Sequence, residues 1–176
     1  MGLERKCGDE SLLSKKMVDA LNKQLNAEYC SSYIYLAMSA HFATKNFRGF
    51  ASWMRVQSEE EIKHAMRFYD YIVDSNERVN LTQIQQPPTE WRSTLAPFED
   101  AYKHEKKVTS YIHELISLSI TEKDHATFEM LQWFVKEQVE EEKSTNDIVQ
   151  DIKRIGDDAT GLLMLDRELA KRKVGT

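Results

Sequence analysis

Apolar residues recur at alternating steps of three and four along most of the chain, the period of an amphipathic helix. Four long stretches carry that pattern, at about residues 11–41, 47–75, 94–120 and 124–155. Pro97 is tolerable only in the first turn of the third. Short polar joints at Thr44-Lys45-Asn46 and Thr121-Glu122-Lys123 predict two antiparallel hairpins. The link over residues 76–93 is of another kind. It holds Pro87-Pro88, shows no 3.6-residue period and is long enough to run the length of a bundle. A last amphipathic piece, about residues 160–171, follows the break between Gly156 and Gly161. The expected architecture is all-α: a four-helix bundle with a long crossover between helices 2 and 3 and a short fifth helix. The 1–176 chain reads as one domain, with residues 1–10 as a flexible tail.

The inward stripe of each helix is apolar except at its middle. Helix 1 presents Met17, Leu21, Leu25, Glu28, Ser32 and Tyr35, and helix 2 presents Phe50, Met54, Gln57, Glu61, His64, Phe68 and Tyr71. Helix 3 offers Phe98, Glu105, Ile112, Ile116 and Ser119. Helix 4 offers Phe128, Leu131, Phe134, Gln138, Glu141, Thr145, Ile148 and Ile152. Every helix therefore puts an acid, an amide or an imidazole into the core. A buried unpaired carboxylate costs several kcal/mol or is driven neutral. Four of them in one core require a compensating cation.

Their spacing locates the site. Glu28 to Glu61 is 33 residues and so is Glu105 to Gln138; an offset of 77 carries Glu28 to Glu105, Glu61 to Gln138 and His64 to Glu141. Two hairpins packed about a pseudo-twofold axis would bring all six side chains to one level. A lone Glu-x-x-His is a weak signal, and Glu140-Glu141-Glu142-Lys143 by itself looks like a solvated run. The common offset is what a chance pattern does not supply. Oxygen-rich ligation with one nitrogen donor suits iron or manganese, and zinc less distinctively. Four carboxylates neutralise two divalent cations. His41, His104, His113 and His125 lack this support and read as surface or helix-end residues, and Trp53, Trp91 and Trp133 as packing residues.

Glu60 and Glu137 share the 77-residue offset, each one position before a seam residue. One residue is a turn of about 100° around a helix, so both leave the core level on related flanks, and Glu140 lies one turn beyond Glu137. They read either as a solvated acidic flank or as an outer metal site.

Composition removes other classes. Glycine is absent from Phe50 to Ile155, which disfavours a β-rich fold. The formal charge of −5, with no basic stripe, argues against nucleic acid as a partner. No apolar run reaches 18 residues, so no membrane span is expected. The charged start Met1-Gly2-Leu3-Glu4-Arg5-Lys6-Cys7 resembles neither a signal peptide nor a myristoylation motif. Cys7 and Cys30 cannot form a disulfide framework, and a cytoplasmic location is expected.

At these residues the chain resembles the non-haem ferritins of the bacterial and archaeal type. The phrases Leu25-Asn26-Ala27-Glu28-Tyr29, Glu60-Glu61-Ile62-Lys63-His64-Ala65, Tyr102-Lys103-His104-Glu105 and the run from Leu131 to Glu142 carry the likeness, which covers about residues 14–169. The resemblance implies a ferritin-like fold, oxidation of Fe(II) by dioxygen or peroxide at a di-iron ferroxidase centre, and mineral storage in a homo-oligomeric shell of roughly 24 subunits. It implies Glu28, Glu61 and His64 on one iron, and Glu61, Glu105 and Glu141 on the second with Gln138 beside it. Tyr35 matches the family's tyrosine near the centre, and Glu60, Glu137 and Glu140 its third iron site. The chain has Gln138-x-x-Glu141 where bacterioferritins and rubrerythrins carry a second Glu-x-x-His, and Ile62 where bacterioferritin's haem-binding Met would stand. No haem is expected. A di-iron peroxidase or electron-transfer protein is the alternative enzyme reading. A catalytically silent shell subunit would lack inner ligands, and a DNA-protecting mini-ferritin would place them at a dimer interface.

Overall fold

A computed structural model describes residues 12–173. It contains α1 (Lys15–Thr44), α2 (Arg48–Asp74), α3 (Leu95–Glu122), α4 (His125–Ile155) and α5 (Ala159–Leu169), with no strand among the described residues. The expected tail over residues 1–10, and Ser11 at the expected start of helix 1, lie outside that range.

Local chemistry sets the boundaries. The Ser14 hydroxyl accepts from the Met17 amide at 3.0 Å, and Asp124 accepts from Thr127 N at 3.0 Å, each closing a helix N-terminus. Asp158 does the same for α5 through Gly161 N at 2.8 Å. Asn46, Asn76 and Lys123 adopt positive φ of 63°, 59° and 58° just past α1, α2 and α3. Such left-handed residues turn the chain and let following amides reach the last free carbonyls. Pro97 is the third residue of α3, inside its first turn as required. The first joint keeps three residues but moves to Lys45-Asn46-Phe47, because α1 continues through Thr44, and the second shortens to Lys123-Asp124, because α3 continues through Glu122.

The crossover is tied down by two asparagines of α1. Asn22 donates to Arg78 O (3.1 Å) and accepts from Asn80 N (2.6 Å). One turn on, Asn26 donates to Asn80 O (2.8 Å) and accepts from Thr82 N (2.7 Å). At the other end of α1, Trp91 stacks edge-on against His41 at 5.1 Å and donates to Asp100 of α3 at 2.9 Å. The link thus follows α1 from Asn22 to His41, which at 1.5 Å per residue is about 28 Å. It returns the chain to the end where α2 began, so α2 and α3 run parallel.

The bundle has two apolar cores. One gathers Met38, Phe42, Phe50, Trp53, Phe98 and Ile152 with their neighbours. The other gathers Met17, Leu21, Phe68, Ile112, Leu131 and Phe134 with theirs. The polar level of the four stripes lies between them. At three stripe positions burial moves by one residue: Ile72, Leu115 and Thr127 are buried where Tyr71, Ile116 and Phe128 were expected. A strict seven-residue walk drifts about 20° per heptad on a straight helix. Three heptads from Phe50 that drift is enough to bring Ile72 inward in place of Tyr71.

Helix α5 packs on α2 and touches α4. The Asp166 carboxylate accepts from Gly49 N (2.8 Å) and Phe50 N (2.9 Å), satisfying two amides in the first turn of α2. The two backbones meet so closely that a Cβ on Gly49 would lie 1.5 Å from Asp166 O.

Candidate metal centre

All four helices deliver one or two side chains to the polar level, because the same 3.6-residue period that buries their apolar neighbours buries them. Glu28, Glu61, Glu105 and Glu141 are each 4% exposed or less, as are His64 and Gln138. Ligand-capable atoms of Glu28, Glu61 and His64 fall within 4.8 Å of one another, and so do those of His64, Glu137 and Glu141. His64 Nδ1 is 3.4 Å from Glu61 Oε2, so the imidazole stands between the two groups. Glu105 is joined to the level from α3. Tyr35 donates its phenol proton to Glu105 Oε1, and Gln138 Nε2 donates to Glu105 Oε2 at 3.2 Å.

Burial and mutual repulsion dominate the electrostatics of this level. Burial, then the charge of Glu61, holds Glu28 well above the usual carboxylate range. Burial, then Glu105 and Glu141, does the same to Glu61. Burial pushes Glu105 up to about 7, and burial with the charge of Glu105 pushes Glu141 to about 7. Tyr35 is raised by burial and by Glu105, so its phenol stays protonated. Oε2 of Glu28 is buried without a hydrogen-bond partner among the described residues. Acids this costly to ionise together, with one lone pair left unfilled, fit a pair of divalent cations.

Two glutamines support the acids and were not singled out for that role by the sequence. Gln24 Nε2 donates to Glu28 Oε1 at 2.7 Å, and Gln57 Nε2 to Glu141 Oε2 at 2.5 Å. Gln24 stands four residues before Glu28, a spacing at which helix side chains meet, so that contact had a signal in the sequence. The Gln57 contact is between helices and had none.

The outer acids separate. Glu137 is half-buried and turned toward His64 and Glu141, whereas Glu140 is exposed and belongs to neither cluster. Glu60 accepts from Arg172 Nη2 at 2.5 Å. Of the histidines set aside as surface or helix-end residues, His113 and His125 are exposed. His41, in the last turn of α1, is instead 5% exposed because Trp91 of the crossover covers it. His104 is half-buried, with Nε2 2.7 Å from Ser31 Oγ and its ring edge-on to Tyr35 at 6.2 Å. Burial, then Lys107, lowers it to about 4, so it is neutral at neutral pH.

Among the described residues no helix is long and apolar enough to cross a membrane. The family model for a ferritin-like domain matches residues 18–155. A bacterial non-heme ferritin from Bacteroides fragilis is 40% identical over 161 residues, covering 92% of this chain and all of that protein. One from Staphylococcus saprophyticus is also 40% identical, covering 92% of this chain and 96% of its own length. Among solved structures, an open pore ferritin from the archaeon Archaeoglobus fulgidus superposes with a TM-score of 0.91 at 49% identity, over 93% of this chain and 99% of that one. The matched segment contains every acid of the buried level, and by that match and these relatives the chain belongs to the ferritin family.

Proposed function

We propose that this protein stores and detoxifies iron, oxidising Fe(II) to Fe(III) at the buried level between its two cores and keeping the product as mineral inside a shell of roughly 24 subunits in the cytoplasm. Iron is substrate and cargo here. The observation that carries the reading is the meeting of four buried carboxylates and one imidazole whose hydrogen-bond partners, among the described residues, are amides, a phenol and one another. Glu28, Glu61 and His64 suit one iron; Glu61, Glu105 and Glu141 suit the second, with Gln138 and Tyr35 orienting Glu105. Glu137, with Glu60 and Glu140, suits an outer third iron.

The chemistry follows from charge. Carboxylates stabilise Fe(III) over Fe(II) and so favour loss of an electron. Two irons sharing Glu61 can release one electron each to the same dioxygen, which takes up two protons and leaves as hydrogen peroxide. A ligand set with a single nitrogen donor binds weakly enough for the oxidised iron to move on.

Glu61 is the sharpest test because it serves both irons. In Glu61→Ala the first fast phase of iron oxidation should fall by about 100-fold or more, beyond the 10–100-fold usual for loss of a supporting residue. Far-ultraviolet circular dichroism should show the helices intact. A folded variant that keeps the fast phase in stopped flow excludes this assignment of the centre.

A further inference from the structure

We propose that Arg172 is a built-in cation that occupies the outer acidic site and has to be displaced before a metal binds there. The inference rests on the outer iron site proposed above and adds what governs its filling.

Arg172 lies just beyond α5, yet its guanidinium is carried back onto α2. Nη2 is 2.5 Å from Glu60 Oε2, and the planar group lies 4.4 Å from the centre of the Trp53 ring, in the geometry of a cation–π contact. This pair differs from the other lysine and arginine ion pairs among the described residues. Those have side chains 36% exposed or more, and all but one join residues three or four apart in the chain. Arg172 and Glu60 are 112 residues apart and only 22% and 15% exposed. A pair so shielded is weakened little by salt.

The pairing is also incomplete. Nη1 of Arg172 is buried and has no hydrogen-bond partner among the described residues. A guanidinium has five donors, and leaving one of them buried and unsatisfied carries a desolvation cost. A staple selected only for stability would satisfy that donor. An ion holding a place for another ion need not. Glu60 directly precedes Glu61 of the inner level, so the guanidinium is held on a side chain next in the chain to that level.

This arrangement orders metal binding. Two divalent cations at the inner level would cancel the negative charge of its acids, and with it part of the attraction that keeps Arg172 beside Glu60. Glu60 is then released to join Glu137, which already faces Glu141. The inner pair fills first and the outer position after it, with residues 170–173 leaving the surface of α2 as the third metal enters.

The test uses the full-length, assembled protein and Zn(II), which binds without oxidation. Titration calorimetry compares wild type with Arg172→Gln and Arg172→Lys, and tryptic cleavage after Arg172 is timed in wild type with and without Zn(II). The outer metal should bind about tenfold tighter in Arg172→Gln, while the two inner metals are unchanged and Arg172→Lys falls between. Cleavage after Arg172 should accelerate only once more than two Zn(II) per subunit are bound. A third metal bound equally tightly in wild type and Arg172→Gln overturns the role of Arg172 and leaves the outer site standing. Two metals but no third in either protein overturns the outer site and this inference with it, while the inner assignment survives.

Discussion

At the level of single residues, the buried acids tie metal binding to protons. Glu28, Glu61, Glu105 and Glu141 all have folded-state pKa values above the ordinary carboxylate value, with Glu105 and Glu141 near 7. Without metal, the folded protein holds protons between about pH 4.5 and 7 that the unfolded chain has lost. Folded-state stability therefore falls as pH rises through that window. A metal ion replaces those protons, so at pH 6 the binding of Zn(II) should release protons from all four acids. At pH 8 Glu105 and Glu141 are already ionised and release should be smaller. Proton release measured in weakly buffered solution checks this, and equal release at the two pH values would contradict it. The inner acids were legible in the sequence because a helical period and a common 77-residue offset together set both face and level. The direction of Glu137 was less so: one step of about 100° moves a Cα around the helix, but a glutamate is long enough to reach back toward His64. Arg172 lies outside every helical period, and no pattern along the chain tied it to Glu60.

At the level of elements, the fifth helix docks through Leu162, Leu165 and Leu169, which pack on the core, and through one carboxylate. Asp166 accepts two amide hydrogen bonds from the start of α2 and lies at that helix's positive end. Asp166→Ala should cost about 1–2 kcal/mol and expose the Gly49 and Phe50 amides to faster hydrogen exchange. Gly49→Ala is harsher. Its Cβ would fall 1.5 Å from Asp166 O, an overlap with backbone that no rotamer relieves. Helix α5 should then detach while α1 to α4 remain, seen as rapid exchange confined to residues 159–169. If α5 carries Arg172 as proposed, the same variant should also bind the outer metal more tightly. Unchanged protection of α5 in Gly49→Ala would show that the close approach is not rigid. The amphipathic run that becomes α5 was visible in the sequence. Its docking on α2 was not, since hydrophobic period says which face is buried and not against what.

At the level of the whole molecule, the four stripes bury one another, and the apolar residues left over point to assembly. Ile62, Met66 and Val73 are 43%, 37% and 46% exposed. At 100° per residue they form a single outward stripe on α2, away from the one that carries Glu61 and His64. Leu81 and Ile84 of the crossover are 63% and 38% exposed, and Tyr33 and Leu36 of α1 are 48% and 47% exposed. A cleft of about 800 Å³ opens between α1 and α3 beside the crossover, lined by Ala20, Ala27 and Leu115 among polar neighbours. Monomeric proteins seldom expose large contiguous apolar patches, whereas subunit interfaces cover them. The identity of the partner and the number of subunits rest on the family likeness, since a helical stripe has no symmetry written in it. Light scattering at neutral pH and moderate salt should find particles near 24 times the 20.5 kDa chain mass, with and without iron. Charging the α2 stripe as Ile62→Glu and Met66→Glu together leaves the buried acids and His64 unaltered. It should shift the population toward smaller species while the first iron oxidation step persists, because each inner centre lies within one bundle. Loss of fast oxidation in soluble, folded subunits of that variant would mean that the centre needs a neighbouring chain.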